Sequence, residues 1–207
     1  VLAPALIRFA KLMPRAKVCV RTGSNAQLMT ALKQGVLDMV IGRLAEPSDM
    51  QGLSFEHQYT EPLLLVVRPG HALSLRQKID PALLDGYRLV LPDAGTRARE
   101  AADRFFMAVG TGLPLKVIET IDLSFGRSYV LHSDAVWFVP LGAIENDLLQ
   151  GTLVRLQIDT STTEGPVGLT LRVDPQPSES IQRVSDEIRQ SASERFGVLS
   201  KSPKAKI

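Results

Sequence analysis

Six residues have the types and spacing to hold a small anion. Ser24 and Asn25 stand where a helix-like stretch follows a strand-like one. A hydroxyl or amide there, with the unpaired backbone N–H groups of a helix start behind it, favours a carboxylate or phosphate. Thr96 holds the equivalent place after the apolar run Leu89–Leu91. Ser124 and Arg127 fall in the first turn of the helix expected after Lys116–Glu119, and Arg43 follows the run Leu37–Ile41. A guanidinium grips a carboxylate through two parallel N–H bonds. Each position also has an ordinary use. Ser24, Asn25 and Thr96 could be plain N-caps, and the arginines could sit in surface or interlobe ion pairs.

Bond-making chemistry finds no such support. His57, His71 and His132 are isolated from one another in the sequence, and Cys19 is the single cysteine. No GxxxxGK[ST], HExxH or GxSxG occurs, and Gly110-Thr111-Gly112 lies between a helix and a strand, where it reads as a turn. One cysteine allows no internal disulfide and no multi-cysteine metal site, which suits a reducing cytoplasm. Set between Val18 and Val20, Cys19 reads as an inert core residue. The sequence therefore argues against an enzyme, a metal site or a cofactor.

The elements that must position these residues follow from periodicity. Leu2, Leu6, Phe9 and Met13 mark a helix that Pro14 ends. Lys17 to Thr22 alternates as a strand, and Ser24 with Gln27 forms a capping box for a helix running to Gly35. Leu37 to Ile41 is a strand closed by Gly42. Strand, helix and strand in succession imply a parallel sheet. After the polar loop Glu46–Gly52, two β-type runs follow, Leu53–Tyr59 and Leu63–Arg68. A second series then alternates: helix 80–84, strand 89–91, helix 96–109, strand 116–119, helix 123–131, strand 135–139, helix 141–149 and strand 152–156. A strand at 167–173 and an amphipathic helix ending near Gly197 close the pattern; the lysine-bearing tail from Val198 reads as disordered.

The second series can hold its own core, whereas the first stops at two or three strands and needs the last strand and helix to complete it. The expected fold is α/β, with two Rossmann-like lobes joined by two crossing strands near 59–61 and 165–167 (type II periplasmic-binding-protein-like). Lobe I takes residues 1–60 plus 166–207 and lobe II takes 61–165. Ligands of such folds sit between lobes, at strand ends and helix N-termini.

Composition agrees with a folded, small-ligand protein. Lys and Arg number 24 against 22 Asp and Glu, too balanced for a nucleic-acid-coating surface. Arg8, Lys11, Arg15, Lys17, Arg21 and Lys33 precede any acid, but three share one helix face and read as solvated or subunit-facing. No apolar run approaches the roughly 18 residues of a membrane span. No secretory leader is evident, so a cytoplasmic location is expected, and Val1 in place of Met favours a fragment.

The stretch Leu28 to Arg43 resembles the L-x3-L-x2-G-x-L-D-x2-I segment of LysR-type transcriptional regulators, within their effector-binding domain. Arg68 to Leu73 and Asp134 to Pro140 also match that family, with Ala72 where it often has Pro and Ser133-Asp134-Ala135 in place of a glycine pattern. Four further stretches (41–45, 55–57, 122–127 with 135–137, and 165–170) are similar to the branch that regulates protocatechuate catabolism. The resemblance implies a sensor of a small carboxylate effector, such as β-carboxy-cis,cis-muconate or protocatechuate. It also implies a homodimer or homotetramer, with the helix from Ala3 to Met13 as a dimer face. DNA would be bound through an N-terminal winged helix-turn-helix that, like the first strand of lobe I, is absent from this chain. No membrane is implied. Two other readings share the scaffold: a periplasmic-type solute-binding protein for a small carboxylate, and a LysR-type regulator of another pathway.

Overall fold

The computed structural model describes residues 1–197; the tail from Val198, expected to be disordered, lies outside the described residues. The chain divides into two compact units, one of Val1–Thr60 with the stretch from Pro166 onward, the other of Glu61–Gly165.

The second unit is built on a five-stranded sheet. Its strands are β3 (Leu63–Val67), β4 (Leu89–Leu91), β5 (Val117–Glu119), β6 (Val136–Pro140) and β7 (Val154–Arg155), in the order β5-β4-β6-β3-β7. β4 runs parallel to β5 and β6, while β3 runs antiparallel to β6 and β7. β3 is apolar at every position because both faces of the sheet are covered. Leu63, Leu65 and Val67 join Phe105, Phe106 and Phe138 on one face, whereas Leu64 and Val66 join Trp137, Val139 and Ile144 on the other. Helix α3 (Arg97–Ala108) supplies the first face, and α4 (Leu123–Leu131) and α5 (Leu141–Leu149) supply the second. The three buried phenylalanines meet edge to face with ring centres 5.3–5.7 Å apart, the arrangement aromatic quadrupoles favour. Gly126 lets α4 lie against β6: a Cβ there would come 2.7 Å from the Trp137 ring.

The first unit has three strands, β1 (Val40–Arg43), β2 (Leu53–Glu61) and β8 (Gly165–Arg172), in the order β1-β8-β2. β1 and β8 are antiparallel, with Gly42 opposite Gly168. A Cβ on Gly168 would lie 2.1 Å from the Glu56 carbonyl oxygen, so only glycine permits β8 to approach β2 this closely. Helices α1 (Leu2–Leu12) and α6 (Glu179–Phe196) pack together over Leu169, and α2 (Asn25–Lys33) packs over Val40 and Leu53.

Four expectations need correction. Lys17–Thr22 is not a strand: it is irregular and exposed, with Val18 and Val20 about half accessible. Alternation marks a strand only where a neighbour accepts its hydrogen bonds. Cys19 is consequently exposed rather than a core residue. The strand expected at Leu37–Ile41 begins at Val40 and runs through Gly42, because the register opposite β8 sets its length; its observed neighbour is antiparallel. The basic face of α1 is not simply solvated: Arg8 reaches Glu187 at 2.6 Å and Ser191 at 2.7 Å on α6.

Candidate functional site

Ser24, Asn25 and Arg43 come together in the first unit. Ser24 is the N-cap of α2, its hydroxyl accepting from the Gln27 N–H while the Gln27 side chain accepts from the Ser24 N–H at 3.0 Å. The capping box read from sequence is therefore formed, and it occupies one of the helix's orphan amides. The Asn25 side-chain amide donates to the Arg43 carbonyl oxygen at 2.9 Å, tying the first turn of α2 to the end of β1. The other end of α2 is held as firmly. Arg172, from β8, donates to the carbonyl oxygens of Leu32 at 2.7 Å and Leu37 at 2.6 Å, placing a cation where the helix dipole is negative. Sequence reasoning missed Arg172; a lone arginine at the end of an apolar strand was the only signal for it.

Thr96, Ser124 and Arg127 lie in the second unit, and each already has work there. Thr96 is the N-cap of α3 and is buried. Its hydroxyl accepts from the Arg99 N–H at 3.1 Å and donates to the Asp93 carbonyl at 2.8 Å. The cap of α4 is Asp122, whose carboxylate accepts from the N–H groups of Ser124 (2.8 Å) and Phe125 (3.1 Å). A negative group thus already sits on that helix N-terminus, and Ser124 is exposed beside it. Arg127 grips Asp147 of α5 in a two-pronged pair, with Nε to Oδ1 at 2.9 Å and Nη2 to Oδ2 at 2.9 Å, and it also donates to the Ala143 carbonyl. That bond holds the Asp147 carboxyl below the usual carboxylate range and pushes the Arg127 guanidinium up. The arginine expected to meet a ligand carboxylate meets a carboxylate of its own unit.

Two other carboxylates were not foreseen. Glu61, buried at the end of β2, accepts from the Gly142 N–H at 2.9 Å in the first turn of α5, and so charges that helix N-terminus internally. Glu119 accepts from Arg99 at 2.6 Å and from the Ala94 N–H, and the Arg99 bond lowers its pKa. Of the histidines, His71 is fully buried, its ring accepting from the Leu73 N–H and touching the Asp134 carbonyl oxygen. His132 hydrogen-bonds within α4's last turn, and His57 meets Thr60. Among the described residues no cluster of histidine, cysteine or acid could hold a metal ion, and no helix is long and apolar enough to cross a membrane.

The first unit holds a helix fixed at both ends beside a strand-terminal arginine, and the second is a complete α/β unit by itself. The family model described as the LysR substrate binding domain matches residues 1–193. The chain belongs to that family. As a LysR domain it is 40% identical over 185 residues to the HTH-type transcriptional regulator PcaQ of Agrobacterium fabrum, covering 86% of this chain and 58% of that protein. It is 36% identical to the uncharacterized HTH-type transcriptional regulator YdcI of Escherichia coli, covering 83% of this chain and 56% of that protein. The chain thus spans rather more than half the length of these curated relatives. They are named as transcriptional regulators and not as enzymes.

Solved LysR domains share the fold. The effector binding domain of QuiR in complex with shikimate superposes with a TM-score of 0.73 at 16% identity, covering 93% of this chain and 90% of that one. The BenM effector binding domain with its effector benzoate gives 0.68 at 18% identity, covering 99% and 90%. The α/β architecture expected from sequence, with two lobes and two strands that cross between them, is that of these domains.

Proposed function

We propose that this chain is the sensing portion of a LysR-type transcriptional regulator, and that its effector is a small anionic metabolite, an acid of aromatic catabolism such as β-carboxymuconate or protocatechuate. The observation that carries the reading is the pinning of α2 between Asn25–Arg43 and Arg172–Leu32/Leu37. It fixes a capped helix N-terminus next to an arginine, an arrangement with the charge and preorganisation to hold a carboxylate. The likeness to PcaQ supports the aromatic acid. QuiR and BenM supply the analogy in ligand chemistry, since shikimate and benzoate each bear a carboxylate.

Ser24, Asn25 and Arg43 are the principal contacts in this proposal. Thr96 and Ser124 are the second unit's candidates, and Arg127 acts chiefly by holding α4 on α5. In the intact regulator, DNA binding belongs to an N-terminal helix-turn-helix, and the protein works as a homodimer or homotetramer. Helix α1, which leaves Ile7 and Leu12 exposed, offers a face for that assembly. An effector shifts the output only by binding one conformational state better than another, and coupling of ~1–3 kcal/mol gives a 5–150-fold effect. Thermal denaturation of the intact regulator with protocatechuate, carboxymuconate and their neutral amides tests this. Stabilisation by the acids alone is expected; equal response to the amides, or none to any acid, rejects an anionic effector.

A further inference from the structure

The carboxyl ends of β4 and β5 form the topological switch point of the second unit. The two strands are parallel neighbours, with Leu91 opposite Glu119. The chain leaves β4 for α3, on the face of Phe105 and Phe106, and leaves β5 for α4, on the opposite face with Val130 and Trp137. The loops beginning at Pro92 and Thr120 therefore part from one another. Strand ends that part in this way are where open α/β sheets take their ligands. In this chain a carboxylate already lies there, that of Glu119. Its Oε1 accepts from Arg99 Nη1 at 2.6 Å and its Oε2 from the Ala94 N–H at 3.3 Å. Arg99 is fixed from behind, its Nε donating to Asp103 one turn along α3 at 2.8 Å. The Arg99 side chain is only 15% exposed, whereas that of Glu119 is 43% exposed. A rigid guanidinium and a backbone N–H thus converge on the two oxygens of a carboxylate that is itself loosely held.

We propose that the turn from Pro92 to Arg99 is a carboxylate-binding seat, that Glu119 fills it as a tethered competitor, and that a small organic acid displaces Glu119. The ligand class rests on the reading of the domain as a sensor of anionic metabolites. Charge makes the event an exchange rather than an addition. Arg99 already faces two carboxylates, so a third cannot be seated while both remain. Asp103 stays, because it stands on the same helix as Arg99. Glu119 leaves, because its side chain can turn into water without stranding a buried charge. The backbone beside it holds through the exchange, since the Thr120 N–H donates to the Leu91 carbonyl at 2.9 Å. A seat that is empty only part of the time lowers apparent affinity by that fraction. Glu119 therefore sets the concentration at which an acid registers.

Melting of the intact regulator in sodium acetate and in sodium chloride of equal ionic strength tests the seat with a simple carboxylate. The wild type should melt at nearly the same temperature in both salts. Glu119→Ala empties the seat, so acetate should then raise the melting temperature by several degrees over chloride, with acetate binding at least about tenfold tighter than in the wild type. Glu119→Gln, which keeps the size and drops the charge, should shift in the same direction. Adding Arg99→Gln to Glu119→Ala should abolish the acetate effect. No acetate effect in either Glu119 variant, or an effect that survives the loss of Arg99, overturns the proposal. Acetate binding by Glu119→Ala supports the seat even where no aromatic acid stabilises the wild type, so the seat and the aromatic effector fail separately.

Discussion

The two units use the same materials and end differently. In Glu61–Gly165, five strands pair edge to edge and both faces of the sheet are covered. In the other unit three strands pair, and a run with equally good alternation, Lys17–Thr22, lies in solvent. Side-chain patterning is a property of the segment, whereas a strand is a property of two segments. The second unit holds all its partners, so its patterning becomes structure; the first shows what patterning amounts to when one ladder is open.

Substitutions can sharpen that contrast. Phe138→Ala, at the centre of the aromatic cluster of the complete unit, should cost ~3–5 kcal/mol, read as loss of the denaturant midpoint. A comparable truncation at Val20 of the 207-residue chain should change that midpoint little, because this side chain is about half exposed. Gly126→Ala forces a methyl group into the Trp137 ring and should cost ~1–3 kcal/mol, with altered tryptophan fluorescence as the local reporter. Arg172→Leu and Arg127→Ala each strand oxygen acceptors and should cost ~1.5–3 kcal/mol. The two differ in consequence. Arg172→Leu frees the C-terminal end of α2 and should also weaken effector binding, while Arg127→Ala loosens α4 from α5.

The smallest effect is on pH dependence. Arg189, Arg99 and Arg127 hold the carboxyls of Glu56, Glu119 and Asp147 below their ordinary values. The native state then binds fewer protons than the unfolded chain, so these contributions are complete above the ordinary carboxylate pKa of about 4. They fade as pH falls through the lower folded values. Melting temperature should be flat from neutrality to about pH 5 and fall below about pH 4. Arg127→Gln should make that decline shallower.

Much of the fold was legible because local signals and tertiary pairing agree. Helix α4 occupies Leu123–Leu131 and α5 Leu141–Leu149, where apolar spacing put them, and Ser24, Thr96 and Gly35 take the capping positions their types suggest. The failures share one cause. The strand at residues 17–22, the core position of Cys19 and the start of β1 each depend on a neighbour that local sequence does not specify. The site was legible in residue type more than in role. Ser24, Asn25 and Arg43 converge, yet Arg127 finds Asp147 twenty positions away, and Arg172 finds carbonyls of a helix about 140 positions back. Such long-range pairs of charges and carbonyls leave no periodic trace.

Anionic sensing by the α2–β1 corner is most directly tested by titration calorimetry of the intact regulator with the most stabilising aromatic acid, comparing wild type with Arg43→Ala. Affinity should fall at least about tenfold, or 1.4 kcal/mol. An unchanged Kd would contradict the assignment of that corner as the anion site.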